Sequence, residues 1–431
     1  MEDNVNNVLK NKNFNLLFIG TLVSNVGATF YSFSISLYIL SITNNNATLQ
    51  GLYLGLCGVI FLLFTPIGGV LADRMNKTKI VYGTDYIRGI IIVVSSILIY
   101  FFGNKINLII ILIFVVGALL NSLSAIFNPA STSLIRFLVD ENQILQATAY
   151  FNSLHSLESI LGIILAGILY TIFKNNIYYL FFIVGICYIL SGLSEMFIKY
   201  KFEKNDDALT IKKFSSDFVG GFEYLLTKKA ILTLVFATLF LNFFLSPYFE
   251  SSSYLAKVYL VSKEYLFSNV ISPEMLVSFF GATLSVGSLV TGIIIGNKKA
   301  KDHYSKTIKT SLILFSLCFT ILVLGFYFFI LKGKYNEYLI ISLFIYLFLG
   351  ILLVYINVPI STIIYRDIEK NQLAKVNSLI TLGSLGLTPI SASIGGIVID
   401  NLGLGILYVI CAVGFLITTI LVGLNKKVAE L

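Results

Sequence analysis

Along this chain the apolar residues neither alternate nor mark one helical face; they run on in long blocks separated by short polar pieces. Blocks of spanning length fall at roughly 14–41, 49–72, 80–102, 107–132, 146–172, 175–198, 230–248, 275–297, 307–331, 337–362, 374–399 and 402–424. About 20 apolar residues in a helix cross the hydrocarbon core of a bilayer, and a helix pairs its own backbone polar groups where no water reaches them. The pattern therefore predicts an all-α integral membrane protein with twelve transmembrane helices. An even number of spans puts both termini on the same side.

A second pattern overlies the first. Pro129-Ala130-Ser131-Thr132-Ser133-Leu134-Ile135-Arg136 returns as Pro359-Ile360-Ser361-Thr362-Ile363-Ile364-Tyr365-Arg366, 230 residues later. Asn142-Gln143 and Asn152-Ser153-Leu154 follow the first copy as Asn371-Gln372 and Asn377-Ser378-Leu379 follow the second. These ordered matches lay spans four and five over spans ten and eleven, so the chain reads as two parallel six-helix bundles, 1–198 and 230–431. Residues 199–229 between them mix charge with an amphipathic piece around Phe218, Phe222, Leu225 and Leu226, which predicts a cytoplasmic linker carrying a surface helix. Two such bundles are expected to enclose an aqueous cavity near the bilayer midplane, where a small-molecule substrate binds.

Composition agrees and charge adds orientation. At 57% hydrophobic, 12% charged and mean hydropathy +0.89, the chain is too apolar for a soluble fold. Its net charge of +8 does not point to nucleic acid, because of where the charge lies. Of 30 Lys and Arg, 23 fall in the segments on the side of the termini and 6 in those opposite, with Arg88 inside a span. Short cytoplasmic loops collect basic residues, so both termini are expected in the cytoplasm and the protein in the cell membrane. The N-terminus lacks a basic leader region and an obvious cleavage site, so the first span is expected to be retained.

Cys57, Cys187, Cys318 and Cys411 are scattered singly and read as membrane-buried fillers, not as a disulfide framework or zinc site. No phosphate-binding loop of the Gly-x-x-x-x-Gly-Lys type is present, which excludes an ATP-driven pump. Two histidines, His155 and His303, and no acidic cluster argue against a metal site and against an enzyme. No cofactor beyond an ion gradient is expected, and a monomer suffices.

Between the second and third blocks runs Gly68-Gly69-Val70-Leu71-Ala72-Asp73-Arg74-Met75-Asn76-Lys77-Thr78-Lys79. Only Asp73 to Lys79 separates two spans, a tight charged turn whose Arg74, Lys77 and Lys79 hold it in the cytoplasm. Gly68 and Gly69 are expected to let two helices approach closely. The spacing of Gly69, Leu71, Asp73, Arg74, Lys77 and Lys79 resembles the signature loop of the major facilitator superfamily. That resemblance implies the major facilitator fold and alternating access gated at this loop. The equivalent between spans eight and nine, near Gly292 to Lys301, keeps the glycine and positive charge but has Gly296 where Asp73 would fall.

An ionisable side chain inside a span costs at least ~2.5 to 3.5 kcal/mol on insertion scales, so each one needs a reason. Asp85 and Arg88 share a helix face on span three, roughly 8 to 12 Å from its start. Bracing the cytoplasmic gate is favoured for them over binding substrate; they can pair with each other or with the loop. His155 and Glu158 are likewise three apart, with Glu158 about 18 Å into span five. A carboxylate at that depth can exchange a proton, with His155 as relay; the alternative is that Glu158 only accepts bonds from neighbouring Ser and Asn. For Glu250, near the outer end of span seven, an interfacial carboxylate is favoured over a group that attracts cationic solutes.

Asn25, Asn121, Asn128, Asn242 and Asn357 sit on spans one, four, seven and ten, which line the cavity if the resemblance holds. Bonding substrate competes there with bonding between helices. Phe240, Phe243 and Phe244 form either a cavity wall or a lipid-facing surface. Phe14 to Gly27 and Pro129 to Asn152 look like the macrolide-exporter and enterobactin-exporter branch, and Asp85-x-x-Arg88-Gly89 resembles its drug and siderophore exporters. The resemblance implies proton-antiport efflux of small amphiphilic compounds. Two positions depart from it: Ala28 stands where many relatives carry an acid, and Gly162-Ile163 replaces the Gly-Pro common in antiporters, leaving Ala166-Gly167, with Pro389 in the comparable part of span eleven. An importer of the same fold and a non-transporting membrane sensor are the competing readings.

Overall fold

Long helices joined by tight turns dominate the computed structural model, which describes residues 8–140, 143–199, 220, 222–261, 263–265, 268–296, 304–369, 376 and 386–425. Helix α1 spans Lys12–Ile42, α2 Ala47–Arg74, α3 Lys77–Phe102 and α4 Ile106–Leu138. Helix α5 runs without a break from Ile144–Leu157 through a π turn at Glu158–Gly162 into Ile163–Phe173, and α6 is Ile177–Met196. Helix α7, Lys229–Glu250, continues through Ser252–Tyr254 into a second π turn at Leu255–Leu260. There follow α8 Pro273–Gly296, α9 Ser305–Phe328, α10 Tyr335–Asp367, α11 Thr388–Leu402 and α12 Leu404–Leu424.

Among the described residues ten helices are long and apolar enough to cross a membrane. The two apolar runs outside that count are α5, interrupted by its π turn, and α11, described over 15 residues. Large apolar side chains stand exposed along the helices, among them Leu63, Ile111 and Phe344. In lipid such exposure carries no hydrophobic penalty, and it gives the helices an outer face. Several helices outrun their apolar blocks: α4 reaches Leu138, α7 passes Glu250, and α10 reaches Asp367. Hydropathy marks only the lipid-buried centre, whereas backbone hydrogen bonding carries a helix on into the polar interface.

The internal repeat has a structural counterpart. Helices α4 and α10 are each 33 residues long, and Pro129 and Pro359 fall within one residue of the same position in them. Asn142, Asn371, Gln372 and Asn377 to Leu379 lie outside the described residues, as do Phe218 and most of the linker 199–229. Of its amphipathic piece, Phe222 and Leu226 are exposed and Leu225 is buried. Gly292 lies in α8 with open space beside it, and 297–301 lie outside the described residues.

The chain separates into two compact units, Met1–Tyr38 with Leu56–Phe214, and Ile39–Gly55 with Ser215–Leu431. The first unit has a core at the α2–α3 turn, where Phe14, Leu17, Ala72, Val81, Leu134 and Phe151 pack together. The second is rich in rings: Tyr248 meets Phe319 edge-on at 4.5 Å between centroids, and Phe315 stacks on Phe415 at 4.9 Å. Its members also include the first part of α2, because Gly51 and Gly55 lie directly against Ala392 and Ser393 of α11. Phe244 packs its ring over Gly414 of α12, while Phe240 is exposed.

Candidate functional site

The α2–α3 turn is shorter than its charge pattern predicts. Helix α2 carries on through Asp73 to Arg74, and α3 already begins at Lys77. Two residues, Met75 and Asn76, make the connection. Asn76 explains the economy: its side-chain oxygen accepts from the backbone N–H of Thr78 at 3.0 Å and of Lys79 at 3.3 Å, an N-cap that starts α3 at once. Arg74 and Lys79 are exposed, whereas Lys77 is buried with its ammonium 5.0 Å from the centre of the Phe137 ring. The side chain of Asp73 lies outside the described residues. Of the glycine pair, Gly68 alone makes the close approach, against the Ala125 carbonyl and Ile126 of α4; a Cβ on Gly69 would meet nothing within 4 Å.

Two turns into α3, Asp85 and Arg88 pair with each other and not with the loop. Arg88 Nη1 donates to Asp85 Oδ1 at 3.0 Å, and Nη2 reaches the Leu123 carbonyl of α4 at 3.3 Å. The guanidinium also lies over Phe127 at 4.5 Å and beside Tyr188 at 5.4 Å. Asp85 is 0% and Arg88 3% exposed, so the pair is sealed from solvent. A third charged group that sequence reasoning missed joins them: Glu195 of α6, 0% exposed, within electrostatic reach of both. It is seated on α1, where a methyl group on Gly20 would come 2.7 Å from its Cγ.

The middle of α5 holds the other acidic site. Asn25 Nδ2 of α1 donates to Glu158 Oε2 at 2.9 Å, and Thr29 Oγ1 donates to Oε1 at 3.3 Å. Asn25 and Thr29 are four apart, hence one above the other on a single helix face. The π turn beginning at Glu158 adds a residue to the helical turn there, and Gly162 lets Thr29 come within 3.1 Å of where a Cβ would be. His155 lies on the same helix, but its side chain is outside the described residues. Thr29 was not singled out in the sequence, although its i,i+4 spacing from Asn25 is the pattern that receives a carboxylate across a helix interface.

Asn121 donates to the Gly117 carbonyl of its own helix at 2.9 Å, and Asn128 is exposed on α4. Asn242 and Asn357 belong to the second unit, on α7 and α10, half-buried and exposed respectively. Glu250 ends α7 proper, and its carbonyl accepts from Gln50 Nε2 at 3.5 Å. The four cysteines are free thiols, and no group of His, Cys, Asp and Glu capable of holding a metal occurs among the described residues.

The family model described as Major Facilitator Superfamily matches residues 17–388. An uncharacterised MFS-type transporter of Bacillus subtilis (strain 168), YvqJ, is 23% identical over 419 residues, covering 95% of this chain and 92% of its own. Macrolide efflux protein A of Streptococcus pyogenes is 26% identical over 165 residues, 38% of this chain and 39% of its own. Among solved structures, a bacterial homologue of the iron transporter ferroportin, in its inward-facing state, superposes with a TM-score of 0.74 at 15% identity, covering 98% of this chain and 99% of the other.

Proposed function

This chain belongs to the Major Facilitator Superfamily and is a multi-pass membrane transporter, not an enzyme; on that premise we propose that it exports small amphiphilic compounds, macrolide-like drugs or siderophores, by proton antiport. Limited similarity to macrolide efflux protein A supports the substrate class. In this reading 1–198 and 230–431 form two bundles that rock about a central site, and 199–229 joins them. The protein works as a monomer in the cell membrane with both termini in the cytoplasm.

The contact between Glu158 and α1 carries the proposal. Two donors, Asn25 and Thr29, are aimed at the two oxygens of one carboxyl group, which accepts from both. Protonation turns one of those oxygens into a donor: at Oε1 the Thr29 hydroxyl can turn to accept it, whereas at Oε2 Asn25 must present its amide oxygen or part from Glu158. A proton therefore acts directly on how α1 sits against α5, and a change in that packing is what couples an ion to alternating access. Asp73, Arg74, Lys77 and Lys79, with the Asp85–Arg88 pair behind them, form the gate. Asn121, Asn128, Asn242 and Asn357 offer hydrogen bonds to substrate, and His155 relays the proton.

The test uses Glu158→Gln in inverted membrane vesicles, with substrate chosen from a panel of antibiotics and dyes. Proton-driven accumulation is expected to be abolished while the variant still binds substrate. Accumulation at the wild-type rate would remove Glu158 from coupling. Raised tolerance in a host overproducing the protein supports export; raised sensitivity indicates import.

A further inference from the structure

Glu195 has no role in that scheme, yet it is a carboxylate buried to 0% exposure in the last turn of α6. Among the described residues no donor reaches either of its oxygens with the geometry of a hydrogen bond, and the same holds for Asp85 Oδ2 and for Arg88 Nε as a donor. Ser191, one turn earlier, is within reach of both carboxyl groups and gives its hydroxyl proton to the Gly20 carbonyl at 2.7 Å. Among the described residues, Asp85 and Arg88 are the charged groups that act on it. From α3 come Asp85, Arg88, the backbone carbonyl of Tyr82 and the ring of Tyr86, the latter two against Gly192. Helix α4 offers the Leu123 carbonyl to Arg88, α1 offers buried Ser24 and no titratable group near Gly20, and α6 itself adds Tyr188.

Charge counting then decides the chemistry. Two buried carboxylates face one guanidinium, which is committed to Asp85 at 3.0 Å. An ionised Glu195 would leave an unbalanced negative charge sealed inside the bundle, away from the water that would otherwise solvate it. A carboxyl group in that position is relieved by taking up a proton, and like charges sharing one site cannot both ionise freely. We propose that Glu195 is a proton-binding residue, neutral while Arg88 is paired with Asp85, and that its O–H proton is released to water at that end of α6 when the guanidinium turns to face it. The O–H bond breaks, the carboxylate stays, and Arg88 then balances it. This inference stands on the α1–α3–α6 packing and not on export or on Glu158.

Infrared difference spectroscopy of the purified full-length protein in nanodiscs reads that proton without substrate or gradient. At neutral pH the wild type is expected to show a protonated-carboxyl stretch that Glu195→Gln abolishes and Glu158→Gln leaves in place. Superimposable spectra of wild type and Glu195→Gln in that region would overturn the assignment. Asp85→Asn supplies a second route if Glu195→Gln does not fold. With Asp85 neutral, Arg88 is free to balance Glu195, which ionises, and the same band is expected to be lost; its persistence would also overturn the assignment. A defect in transport alone, with these bands unchanged, would touch the export proposal and not this one.

Discussion

Asp400 caps the amino end of α2 at Thr48, although 352 residues separate the two in sequence. Its carboxylate accepts from the Ala47 N–H at 2.9 Å and the Thr48 N–H at 2.6 Å, while Asn46 takes the Leu49 N–H at 2.8 Å. The first three amides of α2, which have no partner within the helix, are thereby satisfied, two of them from α11. A negative charge at this position also complements the helix dipole.

Removing that cap should loosen the start of α2. Asp400→Ala is expected to cost about 0.5 to 2 kcal/mol, the range for loss of an N-cap, and Asp400→Asn less, because one acceptor oxygen remains. Thermal unfolding of the purified protein in detergent measures both. Equal melting temperatures for Asp400→Ala and wild type would contradict the capping role.

The two glycines before the α2–α3 turn should behave differently. Gly68 faces the α4 backbone at Ala125, so Gly68→Ala forces the helices apart and is expected to destabilise by roughly 1 to 3 kcal/mol. Gly69 faces open space, and Gly69→Ala should leave stability unchanged or raise it by up to about 1 kcal/mol through helix propensity. Any effect of Gly69→Ala on transport at unchanged stability would then report on gating and not on folding.

Arg88 is the sole counter-charge of buried Asp85 among the described residues. Arg88→Ala should destabilise by about 3 to 5 kcal/mol, since it strands a carboxylate in an apolar interior. Replacing both partners, as Asp85→Leu with Arg88→Met, should recover most of that loss. If the double variant proves no more stable than Arg88→Ala, the cost lies in lost packing over Phe127 and Tyr188 and not in stranded charge.

A double-mutant cycle isolates the Asn25–Glu158 contact. Asn25→Ala and Glu158→Gln, measured singly and together by thermal unfolding, should show a coupling of about 0.5 to 3 kcal/mol, as expected for directly bonded residues. Additive effects would mean that the 2.9 Å bond contributes nothing to holding α1 on α5.

Much of this was legible in the chain itself. Unbroken apolar runs announce spans because lipid leaves the backbone no partner but itself, and Asp85 and Arg88, one turn apart on one helix, were placed to pair with each other or with the loop; the structure shows the first. Asn76, by contrast, cut the charged turn to two residues through a cap that the basic pattern hid. The linker and the second copy of the repeat beyond Glu369 fall largely outside the described residues, and what the structure adds to the repeat is the equal length of α4 and α10.

What only the tertiary structure decided is which remote groups share a site: Glu195 with Asp85 and Arg88, Thr29 with Glu158, Asp400 with the start of α2. In a soluble helix the apolar stripe tells which face turns inward. A helix in lipid is apolar towards its neighbours and towards the membrane alike, so periodicity is silent about facing, and the partners of its few polar residues are set by how the helices pack.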